Sequence, residues 1–444
     1  MLAKEDEFFA KTIIDLGILN SFQIENIEKD YLLQTEKSLK EFLLSIELLL
    51  PWDVEKIESK LNEIQSEIEI ESARRKEDIK KRLSDSSVTI NKELEQLIID
   101  AREKGASDLH LCVDMPPVVR KFKEISFLSI EKLLNAEKLE KIIFSSISQK
   151  QLDFLMREKS LDFCMEGIEI GRIRCCIYKQ LDGWEATFRL IPDKIFTFEE
   201  LKLPEVIRKL TKYQQGLILV TGPTGSGKTT TLAAIIDEIN KTREDHIITI
   251  EDPIEYVHRS LKCQVTQRQF KDHTLSFENA LKASLRQDPD IIMIGEMRSR
   301  ETMAMAISAA ETGHLVLGTM PTSSAVRTIN AIIDFFPVDQ QGQIRSVIAD
   351  SLRGIISQQL IPNKIQDGLE LAVEILLFDS AVSTVIKQDQ LFQLTSIIQT
   401  NKASGMIGMD DSLLKLIKNN RIEGKVAYGF AEDKKLFEEY LDSV

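Results

Sequence analysis

Gly222-Pro223-Thr224-Gly225-Ser226-Gly227-Lys228-Thr229-Thr230-Thr231 is the stretch on which the reading of this chain turns. It follows the apolar run Leu217-Ile218-Leu219-Val220 and precedes Leu232-Ala233-Ala234-Ile235-Ile236, a helix-forming segment. Strand, glycine-rich loop, then helix is the context that makes G-x-x-x-x-G-K-[ST] a phosphate-binding loop rather than a glycine turn opening an ordinary helix. The glycines let backbone N–H groups turn inward around a phosphate, and the new helix aims its positive end at the same charge. Lys228 is placed to neutralise the β- and γ-phosphates, and the Thr229 hydroxyl to ligate Mg²⁺. Gly222 through Thr230 are therefore the candidate ligands of ATP.

Outward from the loop, residues 201 to 360 alternate strand and helix at βαβ spacing, which implies a parallel sheet and an α/β fold. Ile247-Ile248-Thr249-Ile250 is a short buried strand ending in Glu251-Asp252-Pro253-Ile254-Glu255. Ile291-Ile292-Met293-Ile294-Gly295-Glu296 is a second, and Leu315-Val316-Leu317-Gly318-Thr319 a third. Ligands of open α/β sheets gather at the carboxyl ends of strands, so Glu255, Glu296 and Thr319 are expected to converge on the loop. Phosphoryl transfer needs Mg²⁺, cationic compensation and a positioned water. Glu296 fits the Mg²⁺-linked acidic position, reached through water, and Glu255 fits a group that orients or deprotonates the attacking water. One carboxylate after a strand is more often a helix cap or a solvated group. Two flanking one loop bring function level with that alternative.

Upstream, residues 92 to 200 read as a mixed α/β domain. Leu94 to Arg102 is an amphipathic helix closed by Gly105, and Asp108-Leu109-His110-Leu111, Ile168 to Tyr178 and Ala186 to Ile191 read as strands, the last ended by Pro192. Residues 1 to 91 read as a helical, charge-rich extension. Within it Ile18 to Ile27 aligns with Leu48 to Ile57 at an offset of thirty, each copy with an apolar pair, a helix-start residue (Ser21 or Pro51) and an aromatic. Arg74 to Asp78 and Lys80 to Arg82 mix signs and read as a solvated helix or linker, and Ser84-Asp85-Ser86-Ser87 as a boundary. From 361 to 444 the chain reads as mainly helical, with Ser412 to Ile417 its clearest amphipathic segment.

The whole-chain balance narrows the function classes. Fifty-seven Lys and Arg against 71 Asp and Glu give a net charge of −14, which argues against a general nucleic-acid binder. No run approaches the ~18 apolar residues of a membrane span, and Glu5, Asp6 and Glu7 stand where a signal peptide needs basic residues. A cytoplasmic protein is expected. Cys112, Cys164, Cys175, Cys176 and Cys263 show no C-x-x-C spacing, so reduced thiols are expected rather than disulfides or zinc.

From Glu93 to Ser412 the chain resembles the type IV pilus retraction ATPases, within the wider type II/IV secretion ATPase superfamily. The segments that carry the resemblance are Gly105 to Leu111, Phe188 to Pro192, the phosphate loop, Ile250 to His258, Asp288 to Arg298 and Ala309 to Val316. The resemblance implies a PAS-like α+β domain over 92–200, a RecA-like motor domain over 201–360, and assembly as a homohexamer. It makes Glu255 the general base, Glu296 the Walker B glutamate and His314 a member of a histidine box. It matches Arg172, Arg174 and Arg189 to arginines that reach the nucleotide at subunit boundaries. It also implies a platform protein of the inner membrane as partner, a paralogous pilus ATPase as a further one, and a peripheral position at that membrane.

The four-cysteine zinc module usual in the extension and secretion branches is missing, which favours the retraction branch. Three departures from the family pattern stand out. Gly318-Thr319-Met320-Pro321-Thr322 has proline where the family carries a second histidine, and proline offers no donor and fixes φ. This bears on the rate of hydrolysis more than on binding, and keeps open a low-turnover accessory or regulatory subunit. Ala381 to Gln388 keeps the apolar positions of the family's C-terminal motif without its charges. Residues 1–91 resemble the N-terminal domains of extension ATPases. The signature of those that bind cyclic di-GMP is not evident, so partner docking is expected of them.

Overall fold

The structure, a computed structural model, describes residues 4–16, 18, 19, 24, 27, 38–46, 48, 49, 53–63, 66, 73, 77, 90–122, 124–130, 133–192, 194–365 and 368–441. Ser21, Pro51, most of the charged run 74–82 and the boundary 84–87 lie outside them. The chain divides into two units, Met1–Ser87 and Val88–Val444.

In the first unit, helices Lys4–Asp15 and Leu39–Ser45 and a helical stretch over 53–63 enclose a small core. The thirty-residue repeat reaches further back than the sequence match. Phe9 and Leu39, Ile13 and Leu43, and Leu19 and Leu49 are all buried at the same offset. The backbone repeats too: Ile18 N–H donates to Ile13 O and Leu48 N–H to Leu43 O, each at 3.1 Å.

The second unit holds two sheets. The first is antiparallel, in the order β3-β2-β1-β6-β5-β4. Its strands are β1 (Asp108–Leu111), β2 (Val118–Lys121), β3 (Glu124–Phe127), β4 (Ser160–Gly167), β5 (Gly171–Lys179) and β6 (Trp184–Leu190). Helices Lys92–Glu103, Ala136–Phe144 and Gln149–Glu158 supply core residues such as Leu94, Leu139 and Leu155 against one face. The period of two does the sorting: Ile173, Cys175 and Ile177 of β5 and Ala186 and Phe188 of β6 are buried with those helices, so Arg172, Arg174 and Arg189 lie on the opposite face. The strand expected from Ile168 begins instead at Gly171, after a turn over 168–170.

The second sheet runs β13-β12-β7-β11-β10-β8-β9. Its strands are β7 (Gly216–Thr221), β8 (His246–Glu251), β9 (Gln264–Gln269), β10 (Ile291–Ile294), β11 (Leu315–Met320), β12 (Leu352–Pro362) and β13 (Leu369–Leu377). All neighbours are parallel except β12 and β13. Every residue of β7, β10 and β11 is buried, because helices cover both faces. The expectation of a mainly helical region over 361–444 needs correcting. β12 runs through residue 362, and β13 adds an antiparallel edge strand to the motor sheet before the helices begin at Ser380.

Candidate nucleotide site

The loop after β7 has the geometry that its glycines permit. Gly222, Gly225 and Gly227 have φ of 148°, 78° and 87°, in the region that a side chain disfavours. Helix Lys228–Thr242 starts at Gly227 with no side-chain cap, leaving its first N–H groups to a ligand. Pro223, Thr224 and Gly225 are exposed, while Ser226 is buried. The Lys228 ammonium folds into the loop, donating to Gly222 O at 2.8 Å and Pro223 O at 3.0 Å. Burial lowers its pKa, against the charge of nearby Glu296.

Two strand ends bring carboxylates to this loop, as the spacing predicted. After β8, burial raises the Glu255 pKa, while Arg189, Arg174, a hydrogen bond from the Thr229 hydroxyl, and Arg172 hold it down. Thr229 thus lies beside the candidate base. Next to it, Thr230 Oγ1 and Tyr256 Oη are 3.0 Å apart. After β10, Glu296 accepts from Arg298 at 2.5 Å. Thr319, near the end of β11, is turned to structure, donating to Gly295 O at 2.5 Å.

The arginine face of the antiparallel sheet meets the same segment within one chain. Arg172 Nε donates to Ile254 O at 2.7 Å. Arg189 pairs with Asp108 at 3.0 Å, and Arg172 and Arg174 lie 3.8 Å from Glu166 and Asp162. These pairings hold the guanidinium groups on that face, next to Glu255.

His314 lies apart from the loop of its own chain. It precedes β11, whose first residue Leu315 pairs with Gly216, whereas the loop follows the far end of β7 at Thr221. At about 3.3 Å per residue, six residues put it roughly 20 Å from the loop of its own chain. There it hydrogen-bonds Ala309 O through Nδ1 at 3.0 Å. The residue that does follow the loop-side end of β11 is Pro321, and the preceding Met320 O accepts from Gly222 N–H at 3.2 Å.

Three further residues belong to the site: Glu251, legible as the start of the acidic segment Glu251 to Glu255, and Ser357 and Gln358, which sequence reasoning missed. Glu251, fully buried at the end of β8, accepts from Thr249 and Gln267 at 2.6 and 3.1 Å, and burial pushes its pKa up to about 7. On β12, Ser357 and Gln358 bond to the β7 end and the loop. The signal for the latter pair was available: Ser357-Gln358-Gln359 stands between the apolar pairs Ile355-Ile356 and Leu360-Ile361. Among the described residues no group of three His, Cys, Asp or Glu side chains could hold a metal by itself. This donor set fits Mg²⁺ carried in with phosphates, which needs few protein ligands. No helix among the described residues is long and apolar enough to cross a membrane.

Comparison with known proteins agrees with this geometry. The family model "Type II/IV secretion system protein" matches residues 184–406. The type IV pilus retraction ATPase PilT of Pseudomonas aeruginosa is 42% identical over 330 residues, spanning 74% of this chain and 95% of the relative. A twitching motility protein of Neisseria gonorrhoeae is 40% identical over 311 residues, 70% of this chain and 83% of the relative. The crystal structure of the pilus retraction motor PilT with bound ADP superposes with a TM-score of 0.70 at 43% identity, covering 78% of this chain and 98% of that one. The chain belongs to the type II/IV secretion system protein family, among the type IV pilus retraction ATPases.

Proposed function

We propose that the chain is a motor ATPase that powers type IV pilus retraction as a homohexameric ring, at the cytoplasmic face of the inner membrane beside a platform protein. The observation that carries this reading is the convergence of the phosphate loop, two strand-end carboxylates and three arginines of a second domain. Lys228 and the helix start bind the phosphates. Thr229 and Glu296 are the residues that would hold Mg²⁺, which would offset charge on the transferring phosphoryl group. For that, Thr229 leaves Glu255, Lys228 leaves the loop carbonyls, and Glu296 loosens its hold on Arg298. Glu255 then takes the proton of the attacking water, its raised pKa making it a stronger base than a solvated carboxylate. Arg172, Arg174 and Arg189 reach the nucleotide at the boundary between neighbouring subunits. Residues 1–91 dock a partner, and a paralogous pilus ATPase is a candidate.

Pro321 favours a second reading, an accessory subunit of low turnover, because it places no donor beside the loop. Expression in a strain lacking its own retraction ATPase separates the two. Restored twitching by the parent, and none by Lys228→Ala, is expected of the motor. A parent that binds ATP and assembles but restores nothing would point to the accessory subunit.

A further inference from the structure

Ser357 and Gln358 are 0% and 1% exposed beside the phosphate loop. β12 pairs with β7 as far as Ser357 opposite Thr221, where the two hydroxyls lie 2.8 Å apart. One residue further β7 has ended, so Gln358 meets the loop. Its Nε2 donates to Ser226 O at 2.6 Å. Its own backbone carbonyl packs on Gly222 so closely that a Cβ there would collide with it, and its amide nitrogen lies 3.2 Å from where a Gly227 Cβ would stand.

A planar trans peptide points its C=O and N–H in opposite directions. Holding Ser226 O on Gln358 therefore turns the Gly227 N–H away from β12, to the side on which the loop receives an anion. We propose that Gln358 is a positioning residue of the nucleotide site, fixing the Ser226–Gly227 peptide so that its N–H faces the phosphates before they arrive. The proposal rests on the loop being a nucleotide site, but adds a contact from a strand outside the loop motif. Two buried atoms at this clamp, Ser226 Oγ and Gln358 Oε1, have no hydrogen-bond partner. Neither is needed for packing alone, and an apolar residue would fill the position without stranding an acceptor.

The test is ADP binding by calorimetry with thermal melting, on the full chain. Gln358→Met keeps length and volume, loses the donor and also removes the unpaired acceptor, so its melting temperature should stay close to the parent's. Its Kd for ADP should rise about tenfold or more, the scale of one hydrogen bond to a charged phosphate lost when the Gly227 N–H is no longer held toward it. Gln358→Glu, which turns an acceptor toward Ser226 O, should bind more weakly still. An unchanged Kd in Gln358→Met would overturn the proposal, as would losses in both variants that merely track a fall in melting temperature. A parent that fails to bind ADP would instead defeat the nucleotide-site reading itself.

Discussion

The two sheets of the second unit place chemistry in opposite ways. In the antiparallel sheet, side chains alternate between a helix-covered face and a polar one, so Arg172, Arg174 and Arg189 stand within strands, on the polar face. In the parallel sheet, β7, β10 and β11 are buried on both faces and have no polar face to offer. Its reactive groups appear only where strands stop: the loop after Thr221, Glu255 beyond β8 and Glu296 beyond β10. An arginine within a strand is held by its ladder but acts only on what is brought against its face. A strand-end carboxylate sits on a loop that can adjust to phosphate. The site uses both.

The largest expected effect lies at the strand ends. Glu255→Gln and Glu296→Gln should each leave ATP binding largely intact and cut turnover by roughly 10²-fold or more, the scale of a lost acid/base contribution. Turnover at the parental rate in either variant removes the role given to that residue.

The arginines within strands should act through Glu255. Burial raises its pKa and Arg189 opposes that rise. The ionised carboxylate is the base, so activity falls as pH drops through its pKa. In Arg189→Gln that pKa rises further, and the acid limb of the kcat/KM profile should move to higher pH. A limb that stays in place while activity drops would mean that Arg189 does not tune Glu255.

Pro321→His should raise turnover only modestly, by returning a donor near the developing phosphoryl charge. No gain would mean that the loop no longer accepts the ring. The smallest effect is expected at the opposite end of the central strands. His314→Ala should change kcat by less than about twofold, because roughly 20 Å of strand separates it from its own chain's loop. A large loss of kcat would show that His314 reaches a nucleotide across a subunit boundary.

The same contrast explains what the sequence revealed. β7, β8, β10 and β11 are short, mainly apolar runs, and both the strands and their ends were legible to within about two residues. β9, Gln264-Val265-Thr266-Gln267-Arg268-Gln269, is a polar edge strand without an apolar pattern. β13 is built largely of Leu, Glu and Ala, which favour helix in isolation, and pairing with β12 overrides that preference. The phosphate loop, Glu255 and Glu296 were readable because motif and strand end coincide. Gln358 was missed, although a polar interruption of β12 marked it, since its role depends on a loop that follows another strand. The distance of His314 from its own chain's loop was not legible, because a family motif gives order along the chain, not which end of a strand a residue occupies.

The most direct test of the account is the steady-state release of phosphate from Mg-ATP by the full chain, measured beside Lys228→Ala. Hydrolysis by the parent, with the variant at background and unable to bind ATP tightly, is the predicted result. Equal rates in the two proteins, or a parent at background despite bound Mg-ATP, would contradict it.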